Sequence, residues 1–279
     1  MLDHAGLIEP LLAICHQAAN AILDVYRSPD FKIQTKSDHS PVTAADLRAH
    51  EIIHEGLLKL TPELPQLSEE AADISLDTRQ QWPLFWCIDP LDGTKEFIHR
   101  NGEFTINIAL IENHEPVLGM IYIPLSGTAY WGSRQLGAFK REPGKEATHI
   151  RSRILSETLI VAESRRHGQQ ANAALLKQVQ NQFRHIDSLH AGSALKFCLL
   201  AEGYADFYPR LFPTSEWDTA AGQALLEAAG GRLVNAETLQ PLRYNERESL
   251  VNPAFFAAAD PLFPVELLQQ PGHSSAAQL

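Results

Sequence analysis

The stretch Phe85-Trp86-Cys87-Ile88-Asp89-Pro90-Leu91-Asp92-Gly93-Thr94 decides how this chain is read. Four apolar residues make a buried strand that runs straight into a loop carrying two carboxylates three residues apart. Pro90 fixes φ, and Gly93 permits a sharp turn or a close backbone approach. Asp89 and Asp92 can then converge on one point, with the Leu91 carbonyl as a third oxygen and the Thr94 hydroxyl as a fourth. Hard oxygen donors of this kind suit Mg²⁺ or Mn²⁺ rather than zinc. Taken as pairs of letters, Asp-Pro and Asp-Gly are ordinary turns. The uninterrupted run from Asp89 through Phe97 is far more specific.

On the N-terminal side, Leu7, Leu11, Leu12, Ile14, Ala18, Ile22 and Val25 recur at helical spacing. They predict a long first helix ending near Ser28-Pro29, and a second follows over about 44–60. On the C-terminal side the period shortens to that of strands at 105–111, 117–123 and 128–131, with Asn113-His114-Glu115-Pro116 as a hairpin turn. The second half alternates: strand 159–162, helix 169–183, helix 193–202, strand 206–208 and helix 219–229, the last stopped by Gly230-Gly231. The expectation is an α+β half, residues 1–155, carrying the metal loop, and an α/β half, residues 156–279, carrying Asp218 and substrate contacts. Such a mixture implies stacked layers of sheet and helix.

Length and composition agree with a soluble globular protein of either one large domain or two tightly fused halves: 279 residues, 44% hydrophobic and 20% charged. A formal net charge of −11 argues against a nucleic-acid polymer as partner, because phosphate-backbone binders need a basic face. Cys15, Cys87 and Cys198 are scattered among apolar neighbours and read as buried reduced thiols, which favours the cytoplasm. The N-terminus lacks the pattern of an export signal, and the apolar positions of 7–25 are periodic rather than continuous. No transmembrane segment is expected, while a peripheral association with the inner membrane stays open. A monomer and a homodimer are equally compatible with the sequence.

Three further acids bear on the loop. Glu69, in Leu67-Ser68-Glu69-Glu70, follows a strand end and is placed to bridge a metal. Asp218, in Ser215-Glu216-Trp217-Asp218, fits an S-x-x-D helix cap, and Asp46, in Thr43-Ala44-Ala45-Asp46, fits a T-x-x-D cap. For Asp46 and Asp218 capping and chemistry both remain open. Gathered without cations, these carboxylates would repel one another strongly. Two or three divalent ions would neutralise them, attract a phosphate and activate a water for in-line attack. Amide groups at Gly93 and Thr94, where the chain turns into a helix, could hold phosphate oxygens.

The pairing of Asp89-Pro90-Leu91-Asp92-Gly93-Thr94 with Trp217-Asp218 resembles the inositol monophosphatase superfamily of lithium-sensitive, Mg²⁺-dependent phosphatases. Within it, Lys95-Glu96-Phe97-Ile98 and Asn101-Gly102-Glu103-Phe104-Thr105 are similar to the bacterial CysQ-type 3′(2′),5′-bisphosphate nucleotidases. The resemblance implies an alternating α/β/α/β/α sandwich. It also implies hydrolysis of adenosine 3′,5′-bisphosphate to AMP and phosphate, with the sulfated analogue as a second substrate. By it, Glu69, Asp89 and the Leu91 carbonyl bind one metal, and Asp89, Asp92 and Asp218 a second. Thr94 and Asp46 orient the attacking water, with Glu69 completing the catalytic set.

Gly192-Ser193-Ala194-Leu195-Lys196 and Tyr208-Pro209-Arg210 resemble nucleotide-contacting segments, so Ser193, Lys196 and Arg210 join Gly93, Thr94 and Asp218 as expected substrate contacts. His167 matches more loosely. An inositol or sugar phosphatase is the alternative of the same chemistry, and Lys95-Glu96, Lys196 and Arg210 speak against it. A nucleotide-binding sensor without turnover is the alternative of another class, and the complete set of carboxylates speaks against that.

Overall fold

A computed structural model describes residues 2–28, 33–35, 41–165 and 169–268; His167 lies outside them. Helix α1, His4–Arg27, is capped by Asp3, whose side chain accepts from the Ala5 amide. Strands β1, Ile33–Thr35, and β2, Pro41–Thr43, form a small antiparallel pair that leads into α2, Ala44–Leu60. α1 is long and apolar enough by composition to cross a membrane. Its apolar stripe is instead spent inside the protein: Leu11, Cys15, Ala18 and Ile22 are fully buried in one core with Ile53 and Leu57 of α2.

Seven strands then build the first sheet in sequence order: β3, Gln66–Ser68; β4, Leu84–Asp92; β5, Thr105–Glu112; β6, Glu115–Ile123; β7, Thr128–Ser133; β8, Gly137–Arg141; and β9, Thr148–Ile150. Only β3 and β4 run parallel, joined through the short helix α3, Leu76–Arg79; the remaining neighbours are antiparallel. Helix α4, Thr94–Ile98, starts directly after β4. The 113–116 tetrad turns between β5 and β6 with Asn113 and His114 both at positive φ, the signature of a two-residue hairpin whose twist matches its strands.

The second sheet holds β10, Thr158–Glu163; β11, His185–His190; β12, Phe207–Arg210; β13, Arg232–Asn235; and β14, Phe255–Ala258, in the order β11-β10-β12-β14-β13. Its helices are α5, Gln169–Val179; α6, Leu195–Ala201; and α7, Glu216–Ala229. Gly230 ends α7 in the left-handed region, as the Gly-Gly pair predicts.

Three apolar cores define the layering. The first lies between α1–α2 and one face of the large sheet, where Trp86 and Ile88 point. The second takes the opposite face, with Phe85 and Cys87, against α6, α7 and the second sheet. The third seals the far side of the second sheet with Leu175 and Val179 of α5. The order is therefore α/β/α/β/α, the layered sandwich expected from the sequence. The middle layer approaches very closely: a Cβ on Gly119 of β6 or Gly132 of β7 would strike the backbone of α7 at Ala221 or Leu225. That contact brings the start of α7 over the end of β4.

Candidate active site

Asp89 and Asp92 are three residues apart, so a regular strand would point them to opposite faces. The pairing shows why they do not diverge: Asp89 faces Asn107 and Asp92 faces Thr105, three steps on β4 against two on β5. This is a bulge of one extra residue. It falls at Pro90–Leu91, where a residue without an N–H is tolerated. The bulge restores parity and turns both carboxylates toward the α6–α7 layer, while Leu91 packs into the opposite core.

The third acid arrives on α7. Carboxylate oxygens of Asp89, Asp92 and Asp218 all lie within 4.8 Å of one another. The parallel register of β3 on β4 pairs Ser68 with Ile88, so Glu69 follows beside Asp89, and its charge acts on both Asp89 and Asp218. Burial, then Glu69, Asp92 and Asp218, push the Asp89 carboxyl well above the ordinary range. Burial and then Asp92 raise Asp218 to about 8. Such upward shifts mark like charges crowded together with too little positive charge among them. Every donor is an oxygen, which suits a hard divalent cation.

Asp46 serves two masters. Its Oδ2 accepts from the Thr43 amide at 2.8 Å and the Thr43 hydroxyl at 2.7 Å, closing the capping box of α2. Its Oδ1 accepts from the Thr94 hydroxyl at 3.1 Å. Thr94 Oγ1 also lies 3.4 Å from the Leu91 carbonyl, so hydroxyl, carbonyl and carboxylate meet at the head of α4. Asp218 also caps its helix, with Oδ2 accepting from the Ser215 amide at 2.8 Å.

Beside the acids opens a cavity of about 130 Å³, whose lining includes Asp92, Gly93, Lys95, Lys196, Arg210 and Asp218. Gly93 has φ 91°, and a Cβ there would press on Glu103 and Ser193. Ser193, itself at φ 52°, donates to Asp92 Oδ2 at 2.7 Å and meets Thr105 Oγ1 at 2.6 Å, while Asn107 Nδ2 donates to the same Asp92 oxygen at 3.3 Å. Lys196 is 3% exposed and donates to the carbonyls of Ser193 and Ala191. Burial, opposed by Asp92, lowers its pKa to about 8. Arg210 donates to Ser164 Oγ at 3.0 Å and to the Phe212 and Pro213 carbonyls.

The structure thus brings Asp89, Asp92 and Asp218 together with Glu69 following beside Asp89, joins Asp46, Thr94 and the Leu91 carbonyl at the head of α4, and sets Gly93, Ser193, Lys196 and Arg210 around the adjoining cavity. Sequence reasoning gave no role to Thr105, Asn107 or the Glu103–Arg165 pair. Glu103 accepts from Arg165 Nε and Nη2, at 2.8 and 2.6 Å, and from the Gly192 amide at 2.8 Å, tying three segments at the cavity rim. Arg165 holds the Glu103 carboxyl below its usual range. One signal was available: Thr105 and Asn107 alternate with buried Ile106 and Ile108, a polar pair on one face of an otherwise apolar strand.

The chain belongs to the inositol monophosphatase family, whose model matches residues 4–260. It is 43% identical to the 3′(2′),5′-bisphosphate nucleotidase CysQ of Escherichia coli (strain K12) over 250 residues, covering 89% of this chain and 98% of that protein. It is 45% identical to the CysQ of Salmonella typhimurium (strain LT2) over the same shares of the two chains. Among solved structures it resembles CysQ of Bacteroides thetaiotaomicron, with TM-score 0.78, 37% identity, and coverage of 90% of this chain and 97% of that one. An inositol monophosphatase of Thermotoga maritima, 20% identical with TM-score 0.75, shares the fold.

Proposed function

We propose that this chain is a 3′(2′),5′-bisphosphate nucleotidase that hydrolyses the 3′-phosphate of adenosine 3′,5′-bisphosphate to AMP and phosphate, with the sulfated analogue as a second substrate. One observation carries the reading: Asp92 and Asp218 of the carboxylate cluster line the same cavity as the cations Lys95, Lys196 and Arg210. A ligand with two phosphates can meet both, one at the acids through bound cations and one at the basic wall. The 43% identity to CysQ proteins supports the same substrate.

Glu69, Asp89, the Leu91 carbonyl, Asp92 and Asp218 would hold Mg²⁺, and Mn²⁺ is the natural substitute. Bound Mg²⁺ supplies positive charge that activates a water and stabilises the leaving oxygen of an in-line displacement. The protein's own part is positioning and proton transfer. Thr94 Oγ1, which donates to Asp46 Oδ1, has lone pairs free to accept from the attacking water. A proton from that water reaches Thr94 as the threonine proton passes to Asp46. The amides of Gly93 and Thr94 fix phosphate oxygens, and Ser193 holds Asp92 in place while its segment faces the nucleotide. His167 remains a proposed substrate contact.

The test is phosphate release from a panel of nucleotide and inositol phosphates, with and without Mg²⁺. A higher kcat/KM on adenosine 3′,5′-bisphosphate than on inositol 1-phosphate is expected. Clear preference for the inositol ester would overturn the substrate assignment.

A further inference from the structure

Helix α2 carries His50-Glu51-Ile52-Ile53-His54. This is the H-E-x-x-H spacing that places two imidazoles one turn apart on one helical face, an arrangement able to bind zinc. Such a five-residue match arises readily by chance, so the geometry has to decide. His50 Nδ1 lies 2.9 Å from Ser68 Oγ, and His54 Nδ1 lies 3.0 Å from Gln66 Oε1. Ser68 and Gln66 sit two residues apart on β3. Gln66 Nε2 returns a bond to the His54 carbonyl, fixing its amide so that Oε1 faces the ring as acceptor. His54 therefore donates from Nδ1, and its Nε2 is left as a bare lone pair.

The two rings stand 5.8 Å apart, centroid to centroid, within 20° of parallel. Because both Nδ1 atoms point at the same short strand, both Nε2 atoms lie on the side away from it. Nitrogens about 2.0–2.1 Å from one ion put imidazole centroids roughly 5–6 Å apart. The exposed His54 side chain has room for any small tilt that chelation requires. Burial, reinforced by the neighbouring His54, lowers the proton affinity of His50, which favours the neutral ring a metal needs. Nδ1 bonded to a protein oxygen with Nε2 free is also how metal-ligating histidines are oriented.

We propose that His50 and His54 form a second metal site, selective for borderline transition ions such as Zn²⁺ and separate from the hard-oxygen cluster of Asp89, Asp92 and Asp218. Water completes the coordination at this exposed face of α2. The site needs nothing from the nucleotidase reading, so either can fail alone. Ser68 also ties it to the catalytic side, because the residue His50 holds is followed directly by Glu69.

The test is Zn²⁺ titration of the metal-free full chain by equilibrium dialysis, in excess Mg²⁺ so that the carboxylate cluster is occupied. The wild type is expected to take up one zinc. His54→Ala should lose that zinc while retaining Mg²⁺-dependent turnover. Gln66→Ala, which removes only the oxygen orienting His54, should weaken uptake roughly tenfold or more. Unchanged zinc affinity in His54→Ala would overturn the proposal. So would zinc uptake that survives in His54→Ala but disappears in Asp89→Asn, since the ion would then belong to the carboxylates.

Discussion

A carboxylate has two oxygens, and Asp46 gives one to the start of α2 and the other to the Thr94 hydroxyl, while Asp218 caps the start of α7 and stands within the carboxylate cluster. Capping and chemistry, which looked like rival readings of T-x-x-D and S-x-x-D, are one arrangement. The cap fixes the side chain's rotamer, and the fixed rotamer aims the free oxygen. Asp89 caps no helix; its Oδ1 accepts from the Leu91 amide at 3.0 Å within the bulge, and burial and crowding outweigh that bond to raise its proton affinity. Asp89→Asn should therefore lower Mg²⁺-dependent phosphate release by more than roughly a hundredfold, since loss of an outer-shell partner alone approaches that figure. The metal-free variant should melt at or above the wild-type temperature, because a repelling charge has gone. Near-normal turnover would refute the ligand assignment. Lys196 offers a second test with a sign that can be worked out. Its folded pKa of about 8 lies below the ordinary lysine value of 10.5, so below pH 8 both folded and unfolded states hold the proton and the burial penalty is complete. That penalty is about 3 kcal/mol at one pKa unit per 1.36 kcal/mol. It is relieved as pH rises from about 8 toward 10.5, where the folded chain has shed a proton that the unfolded chain still binds. Binding runs the other way: kcat/KM for the bisphosphate should fall above about pH 8 as the cation is lost. Lys196→Met should gain stability, raise KM roughly ten- to hundredfold through loss of about 1.5–3 kcal/mol of charge-assisted bonding, and abolish that alkaline limb.

Helix α7 is the element on which the site's assembly turns, because it carries Asp218 from the second half of the chain onto the first sheet. Glycines on the facing strands allow its approach, and a methyl at Gly119 would meet the backbone of Ala221 rather than a side chain that could swing aside. Gly119→Ala should destabilise by about 1–3 kcal/mol. It should also raise the Mg²⁺ concentration for half-maximal activity, as Asp218 is pushed from Asp89 and Asp92. A loss of stability with unchanged Mg²⁺ dependence would show that α7 does not set the cluster's spacing. The same contact marks where the sequence stopped being informative. α1, α2, β4 to β7 and the hairpin were legible because each is written in a local period, cap or turn. The acidic loop was legible because its candidate ligands are nearly contiguous. β8, β9, β13 and β14 were not, being only three to five residues long, too short for a period to show. β11, His185–His190, is largely exposed and carries no apolar alternation to find. The bulge at Pro90–Leu91, and the bonds from Ser193 and Asn107 to Asp92, depend on register across segments up to 101 residues apart. No spacing in the sequence encodes them.

We propose residues 1–155 and 156–279 as two halves built around one shared middle layer rather than as independent domains. Phe85, Ala109, Ile121 and Tyr130 of the first sheet share a core with Phe197, Leu225, Tyr244 and Phe255 of the second half. Neither half could expose that face to water without losing most of its burial. A body with one such core is expected to unfold in a single transition, so ellipticity and tryptophan fluorescence should report the same midpoint. The proposed metal site spans the same join, with Glu69, Asp89 and Asp92 on one side and Asp218 on the other. Mg²⁺ binding should therefore stabilise the whole molecule and not one half. At a hundredfold excess over its dissociation constant a single site adds about 2.7 kcal/mol. For a chain of this length that corresponds to a rise in Tm of roughly 5 °C. Asp89→Asn and Asp218→Asn, from opposite sides of the join, should each abolish most of that rise. Two separate transitions, with Mg²⁺ shifting only one, would show instead that the halves are autonomous and that the cluster belongs to the first alone.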